Sequence, residues 1–298
     1  MAYEIGVVAH QRFGIPCKII TAGDESLEKS VFDYPIAFEA TNYVDFRSSV
    51  RPEDILVCNP SFSNGRVGLE NDCKKLMYVQ GFNTFQHLDR WFQTYVAVGS
   101  FVQSFLKNVY SVEADVIPPF IEPISSNHPS WWARPTDSVW FFLKGNESLQ
   151  RALLARLQAE VTAIDSAVSA RIDWEGSILS PGGHPQSALH TWLGERRHLV
   201  TLSIGEGFGL VPLEAMSAGT AVLGFDGFGG RDYMRSGYNC AVRHYPDIAG
   251  LAYDLVKALK QPERIGRMSA AGPGTAAEFT KDRFHAAWEG VLARVLET

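Results

Sequence analysis

Hydrophobic positions in the second half of the chain switch between two periods. Val139-Trp-Phe-Phe-Leu143 is an unbroken apolar run rich in aromatics, the pattern of a strand buried on both faces. After it Leu149, Leu153, Leu154, Leu157, Val161 and Ile164 recur at helical spacing for about four turns. Ile178-Leu179 reads as a short strand before a Pro181-Gly182-Gly183 turn, and a helix follows near Gln186 to Gly194. Leu199-Val-Thr-Leu202 is again a strand, Glu214 to Ala218 lies on a helix, and Thr220 to Phe225 is the next strand. Strand and helix in strict alternation predict a parallel sheet covered on both faces.

The first half repeats the theme with longer loops. Lys18–Thr21, Ile55–Cys58, Leu76–Val79, Tyr95–Val98 and Val116–Ile117 read as five strands. Residues Glu4 to Phe13 fit a helix (Ile5, Val8, Phe13) or a strand at Ile5 to Ala9; the Gly14-Ile15-Pro16 turn favours the helix. On that reading the chain begins on the first helix of a sheet that lacks its first strand. Pro118-Pro119 and the Pro- and Trp-rich stretch from Pro123 to Pro135 mark a linker between the halves. Phe284, Ala287, Trp288, Val291, Leu292 and Val295 form one face of a last helix.

Composition narrows the function classes. The 298 residues carry 27 Lys plus Arg against 33 Asp plus Glu, a net charge of −6, which argues against a nucleic-acid surface. Apolar runs stop at about five residues where a membrane span needs roughly 20, so only peripheral membrane contact stays open. The start, Met1-Ala2-Tyr3-Glu4, lacks a basic leader pattern, and with the four scattered cysteines it points to a cytoplasmic, reduced protein. No Cys-x-x-Cys, His-Glu-x-x-His, Walker A loop or Gly-x-Ser-x-Gly elbow occurs, so a metal site, a nucleotide-hydrolysing loop and a serine nucleophile are unsupported.

The chemistry concentrates in residues 199–219. There a strand runs into a loop holding Gly205, Gly207 and Gly209, then into a helix with Pro212 near its first position. The free N–H groups and positive end of such a helix form an anion site for a phosphate. Glu206 in the loop and Glu214 in the first helical turns are placed to accept hydrogen bonds from sugar or ribose hydroxyls. The plainer reading is a routine strand–helix loop with a dipole-stabilising Glu, and position 210 is Leu where a dinucleotide fingerprint has Gly.

Ser203 and Glu206-Gly-Phe-Gly-Leu-Val-Pro-Leu-Glu214-Ala-Met, followed by Gly219 and Ala221-Val222, resemble the Glu-x7-Glu signature of retaining GT-B glycosyltransferases of family four (glycosyltransferase group 1). Gly229-Gly230 through Gly237 to Val242 is similar to a second stretch of that family, and Val116-Ile-Pro-Pro-Phe-Ile-Glu122 more loosely to a third. The close resemblance covers roughly residues 195–245. It implies an α/β GT-B architecture of two Rossmann-like, doubly wound domains facing a cleft. The N-terminal acceptor-side domain would span 1–122, the nucleotide-sugar-binding domain 123–278, and a C-terminal helix, 279–298, would cross back. It also implies a metal-independent transferase, without a cofactor, that moves a sugar from a nucleotide-diphosphate sugar to the hydroxyl of a carbohydrate or small-molecule acceptor with retention.

By the same resemblance Glu206 lies against the donor sugar, Glu214 binds the ribose, and the backbone of Gly205, Gly207, Phe208, Gly209, Leu210 and Val211 holds the sugar and distal phosphate. Departures accompany the match. Where the family has Gly-Arg after the linker strand, this chain reads Leu143-Lys144-Gly145-Asn146, so Lys144 stands in as the diphosphate-binding cation or is an ordinary strand-end lysine. Where the family has a His near the sugar, Gln80 stands, able to hydrogen-bond but not to transfer a proton. Arg231 and Asp232 either reach the donor or pair with each other. These departures keep a second reading in view, a non-catalytic nucleotide-sugar-binding or scaffold subunit with a degenerate acceptor domain.

Overall fold

In a computed structural model, residues 1–21, 38–124, 128–179 and 186–297 are described; the Pro181-Gly182-Gly183 turn lies outside them. The chain divides into two units, residues 1–120 with 280–298, and residues 121–279.

In the first unit, α1 (Ala2–Phe13) buries Ile5, Val7 and Val8 and ends at Gly14 in the left-handed conformation, so the opening segment is a helix. Strand β1 (Lys18–Thr21) pairs in parallel with β2 (Glu39–Asn42). Asn42 then caps α2 (Tyr43–Ser49), its side chain accepting from the Asp45 amide. Next come β3 (Ile55–Cys58), the short turns α3 (Pro60–Ser63) and α4 (Val67–Glu70), β4 (Lys74–Val79), β5 (Thr94–Ala97), α5 (Ser100–Tyr110) and β6 (Asp115–Val116). The last four strands form one parallel sheet in the order β3-β4-β5-β6. Five strands are thus where the apolar runs predict them, but β1 does not join the other four: among the described residues it pairs with β2, which its polar Glu-Ala-Thr-Asn composition conceals.

The second unit is a five-stranded parallel sheet. Its elements are β7 (Val139–Phe142), α6 (Glu147–Ile164), α7 (Ser166–Ser169), β8 (Ile178–Leu179), α8 (Gln186–Glu195), β9 (His198–Thr201), α9 (Leu210–Ser217), β10 (Ala221–Phe225), β11 (Cys240–Arg243), α10 (Ile248–Lys260) and α11 (Pro262–Ala276). The strand order is β11-β10-β9-β7-β8. Val139, Phe141, Val200, Ala221, Leu223 and Phe225 join Leu153, Leu157, Val161, Leu251 and Leu255 of α6 and α10 in one core. The intervening Phe142, Leu199 and Val222 are equally buried, so both faces are covered, as continuous apolar strands require. Asn146 caps α6 by accepting from the Leu149 amide at 2.9 Å.

The last helix, α12 (Lys281–Glu297), belongs to the first unit. Trp288 is fully buried edge-on to Tyr78 at 5.1 Å, and Phe284 packs on Phe120. Glu4 of α1 accepts from Lys281 and His285 at 2.9 Å each. Among the described residues no helix is long and apolar enough to cross a membrane.

Candidate functional site

The order of the second sheet locates its site. From β7 the chain moves outward to β8, then returns to the other side of β7 as β9 and continues through β10 and β11. The connections therefore diverge between β7 and β9, and ligands of open parallel sheets bind beyond the strand ends at such a divergence. Lys144 follows β7 and Glu206 follows β9, and at this point they meet: Lys144 Nζ donates to Glu206 Oε2 at 2.8 Å. Ser203 Oγ donates to the other carboxylate oxygen, also at 2.8 Å. The Glu206 side chain is 11% exposed and that of Lys144 is 54% exposed, so a fixed carboxylate is matched with a lysine whose head remains in water.

The loop that carries Glu206 leads directly into α9. Gly209 is the residue before the helix, with φ 89°, a backbone state open to glycine at little cost. Tyr233 holds it: burial, reinforced by the Glu206 charge among others, pushes the phenol well up, so it stays protonated and donates to the Gly209 carbonyl. The helix starts at Leu210, not after Val211 as its sequence predicts, which makes Pro212 the third helical residue. Its missing N–H still falls within the first turn, where no intrahelical partner exists. The first-turn N–H groups of Leu210 and Val211 sit at the positive end of a helix in which Pro212 to Met216 are buried.

Glu214 is 4% exposed. His190 of α8 brings Nε2 to 3.5 Å from Glu214 Oε1, longer than a good hydrogen bond, and that nitrogen is buried without a hydrogen-bond partner among the described residues. On the far side of the Glu206 loop, Gly227 accepts the Glu206 amide at 2.8 Å. Asp226, just past β10, accepts from Arg231 Nε at 2.8 Å and lies 2.9 Å from His244 Nδ1. Burial works to raise the Asp226 carboxyl, but hydrogen bonds from Arg231, the Phe228 amide and His244, with the Arg231 charge, outweigh it and hold it below the ordinary value.

Lys144, Glu206, Gly205, Gly207, Phe208, Gly209, Leu210, Val211 and Glu214 therefore occupy one strand–loop–helix passage and the strand end beside it. Gln80 follows β4 in the other unit and is exposed. Arg231 pairs with Asp226, whose carboxylate at the end of β10 is buried. Asn59 caps α3, its side chain accepting from the Phe62 amide, so Asn59-Pro60-Ser61 is a helix start. Trp131 is buried and donates to the Arg197 carbonyl at 2.8 Å, a packing role. Sequence reasoning missed His190 and the Asp226–His244 contact. A lone His on an amphipathic helix carries no local signal, and the second pair is 18 residues apart.

Residues 175–274 match the family model described as glycosyl transferases group 1. A curated relative, the D-inositol 3-phosphate glycosyltransferase of Thermobispora bispora, is 30% identical over 153 residues; the aligned stretch is 51% of this chain and 32% of that protein. The fold is shared over nearly the whole chain with Anabaena HepE solved with UDP-glucose, at TM-score 0.73, 10% identity and coverage of 98% and 96%. A TarM variant from S. aureus, solved with fondaparinux, α-GlcNAc-glycerol and UDP, matches at TM-score 0.63 and 13% identity over 86% of this chain and 58% of that one. The chain is thus similar to group 1 glycosyl transferases over residues 175–274, on the parallel α/β fold of GT-B structures.

Proposed function

We propose that this protein is a retaining glycosyltransferase that moves a sugar from a nucleoside-diphosphate sugar to an acceptor hydroxyl. The observation that carries the reading is the contact of Lys144 with Glu206 at the divergence of the sheet, beside the N-terminus of α9 and eight residues before the buried Glu214. Dipole, lysine and paired hydroxyl acceptors together suit a ligand with a diphosphate between two polyols.

In this reading Glu214 holds the ribose diol and the first-turn N–H groups of α9 face the distal phosphate. As the bond from the anomeric carbon to the diphosphate breaks, its electron pair passes to the departing phosphate oxygen. The helix dipole and the Lys144 ammonium stabilise that charge, which leaves no step that needs a metal ion. The acceptor oxygen bonds to the anomeric carbon, and its proton passes to the departing phosphate oxygen that has taken the electron pair. Glu206, fixed by Ser203, orients the sugar hydroxyls and is a positioning group rather than half of an acid–base pair. Gln80 is assigned to the acceptor side as a hydrogen-bonding group, and the protein to the cytoplasm.

The test is turnover. Release of free sugar or transfer product from a nucleoside-diphosphate sugar, abolished by Glu206→Ala, is the expected result. Nucleotide binding without turnover on any acceptor would assign the chain to a non-catalytic binding subunit instead.

A further inference from the structure

Among the described residues of the second unit, the segment after β10 holds the one non-glycine residue at positive φ. Phe228 has φ 66° and ψ −52°, positive φ at a bulky aromatic. The Gly229 amide donates to the Gly227 carbonyl at 2.9 Å, which closes a three-residue γ-turn of the strained, left-handed kind with Phe228 at its centre. Such a conformation persists only where its surroundings over-determine it.

They do so here through one carboxylate. Asp226 Oδ1 accepts the Phe228 amide at 3.0 Å, and Oδ2 takes Arg231 Nε at 2.8 Å with His244 Nδ1 at 2.9 Å. The Asp226 carbonyl accepts the Gly230 amide at 2.9 Å, and the Arg231 guanidinium lies over the Phe228 ring at 4.8 Å. The turn then acts on the candidate site. The Gly227 carbonyl that closes it also accepts the Glu206 amide at 2.8 Å. A Cβ on Gly229 would come within 2.5 Å of the Gly207 carbonyl carbon and the Phe208 nitrogen, and one on Gly227 within 3.2 Å of Glu206 Cγ. The two loops are in backbone contact, and the turn fixes where the Glu206 backbone lies.

We infer that Asp226, with Arg231 and His244, is a positioning residue for sugar recognition: it locks the γ-turn at Gly227–Gly229, and the turn sets Glu206 against the donor sugar. This rests on the function proposed above. The turn reaches the Glu206 amide and the Gly207–Phe208 backbone directly, so the clamp acts first on the sugar end of the ligand.

Two measurements test it. Hydrogen exchange of the free protein needs no ligand: Asp226→Ala and Arg231→Gln are expected to speed exchange of the Glu206 amide about 10-fold or more, with Asp226→Asn intermediate because it still accepts the Phe228 amide. Unchanged exchange at Glu206 in all three overturns the clamp, whatever the protein binds. The second is calorimetric affinity for UDP-glucose and for UDP, with the GDP, dTDP and ADP pairs as alternates. Asp226→Asn should weaken the sugar nucleotide about 5-fold, leave the bare nucleotide within about 2-fold, and lose its effect in a Glu206→Gln background. Equal weakening of both ligands, or a full effect in that background, overturns the positioning role. Wild-type protein that binds none of the nucleotides overturns the functional reading, and with it the purpose of the clamp, even where the exchange result upholds its geometry.

Discussion

The two ends of the C-terminal sheet use the same kinds of side chain to opposite effect. At the N-terminal ends of its strands, Arg134 and Arg197 are 4% and 6% exposed. Arg134 donates to the carbonyls of Pro129, Arg196 and Ala218 and to the Thr220 hydroxyl; Arg197 donates to those of Arg134 and Trp132. Each guanidinium closes off backbone acceptors that would otherwise be buried unpaired, and burial lowers the Arg134 value from its usual one. At the C-terminal ends, by contrast, Lys144 keeps its head half in water and, among the described residues, touches a single carboxylate. Charge committed on every side is architecture; the half-exposed Lys144 is the charge that the proposed function gives to a ligand.

That contrast is sharpened first at Glu206. Glu206→Gln is expected to cut donor turnover about 100-fold or more, as loss of one preorganised polar contact does, while the melting temperature stays close to wild type. Arg134→Met reverses the pattern. Urea unfolding should show the C-terminal unit destabilised by about 3 kcal/mol, because several carbonyls lose a charged donor, and nucleotide affinity of the folded protein should hold.

The same basal end predicts an acid sensitivity of similar size. His198 is fully buried, with Nδ1 3.2 Å from the Ser138 carbonyl, and burial first, then the Arg197 charge, lowers its value from 6.5 to about 4. Between those limits the unfolded chain binds a proton that the folded one refuses, so stability falls as pH drops through the window, by about 3 kcal/mol in all. Unfolding curves from pH 7 to pH 4 measure the loss, and His198→Gln should flatten the slope. The smallest effect belongs to Lys144: Lys144→Met should weaken nucleoside-diphosphate binding about 10-fold with little change in stability, since an exposed ion pair contributes little to the fold.

The C-terminal sheet was legible in the sequence because buried parallel strands are continuous apolar runs, and the Glu206–Glu214 passage because loop glycines and helix starts leave local marks. The Lys144–Glu206 contact spans 62 residues, and only the return of the chain from β8 across β7 to β9 brings it about. Strand β2 was invisible for the opposite reason: Glu39-Ala-Thr-Asn42 has no apolar face, and it exists as a strand through its pairing with β1. The γ-turn at Phe228 was hidden because nothing in Gly-Phe-Gly-Gly announces positive φ at the aromatic; the Asp226 carboxylate imposes it from outside the turn.

The central claim is that the loop and helix from Gly205 to Glu214 bind a nucleoside diphosphate. A thermal-shift panel of UDP, GDP, dTDP and ADP against wild type and Glu214→Gln tests it most directly. Ligand-dependent stabilisation by one nucleotide, lost in Glu214→Gln, is the predicted result. No shift with any of the four, or an equal shift in the variant, would contradict it.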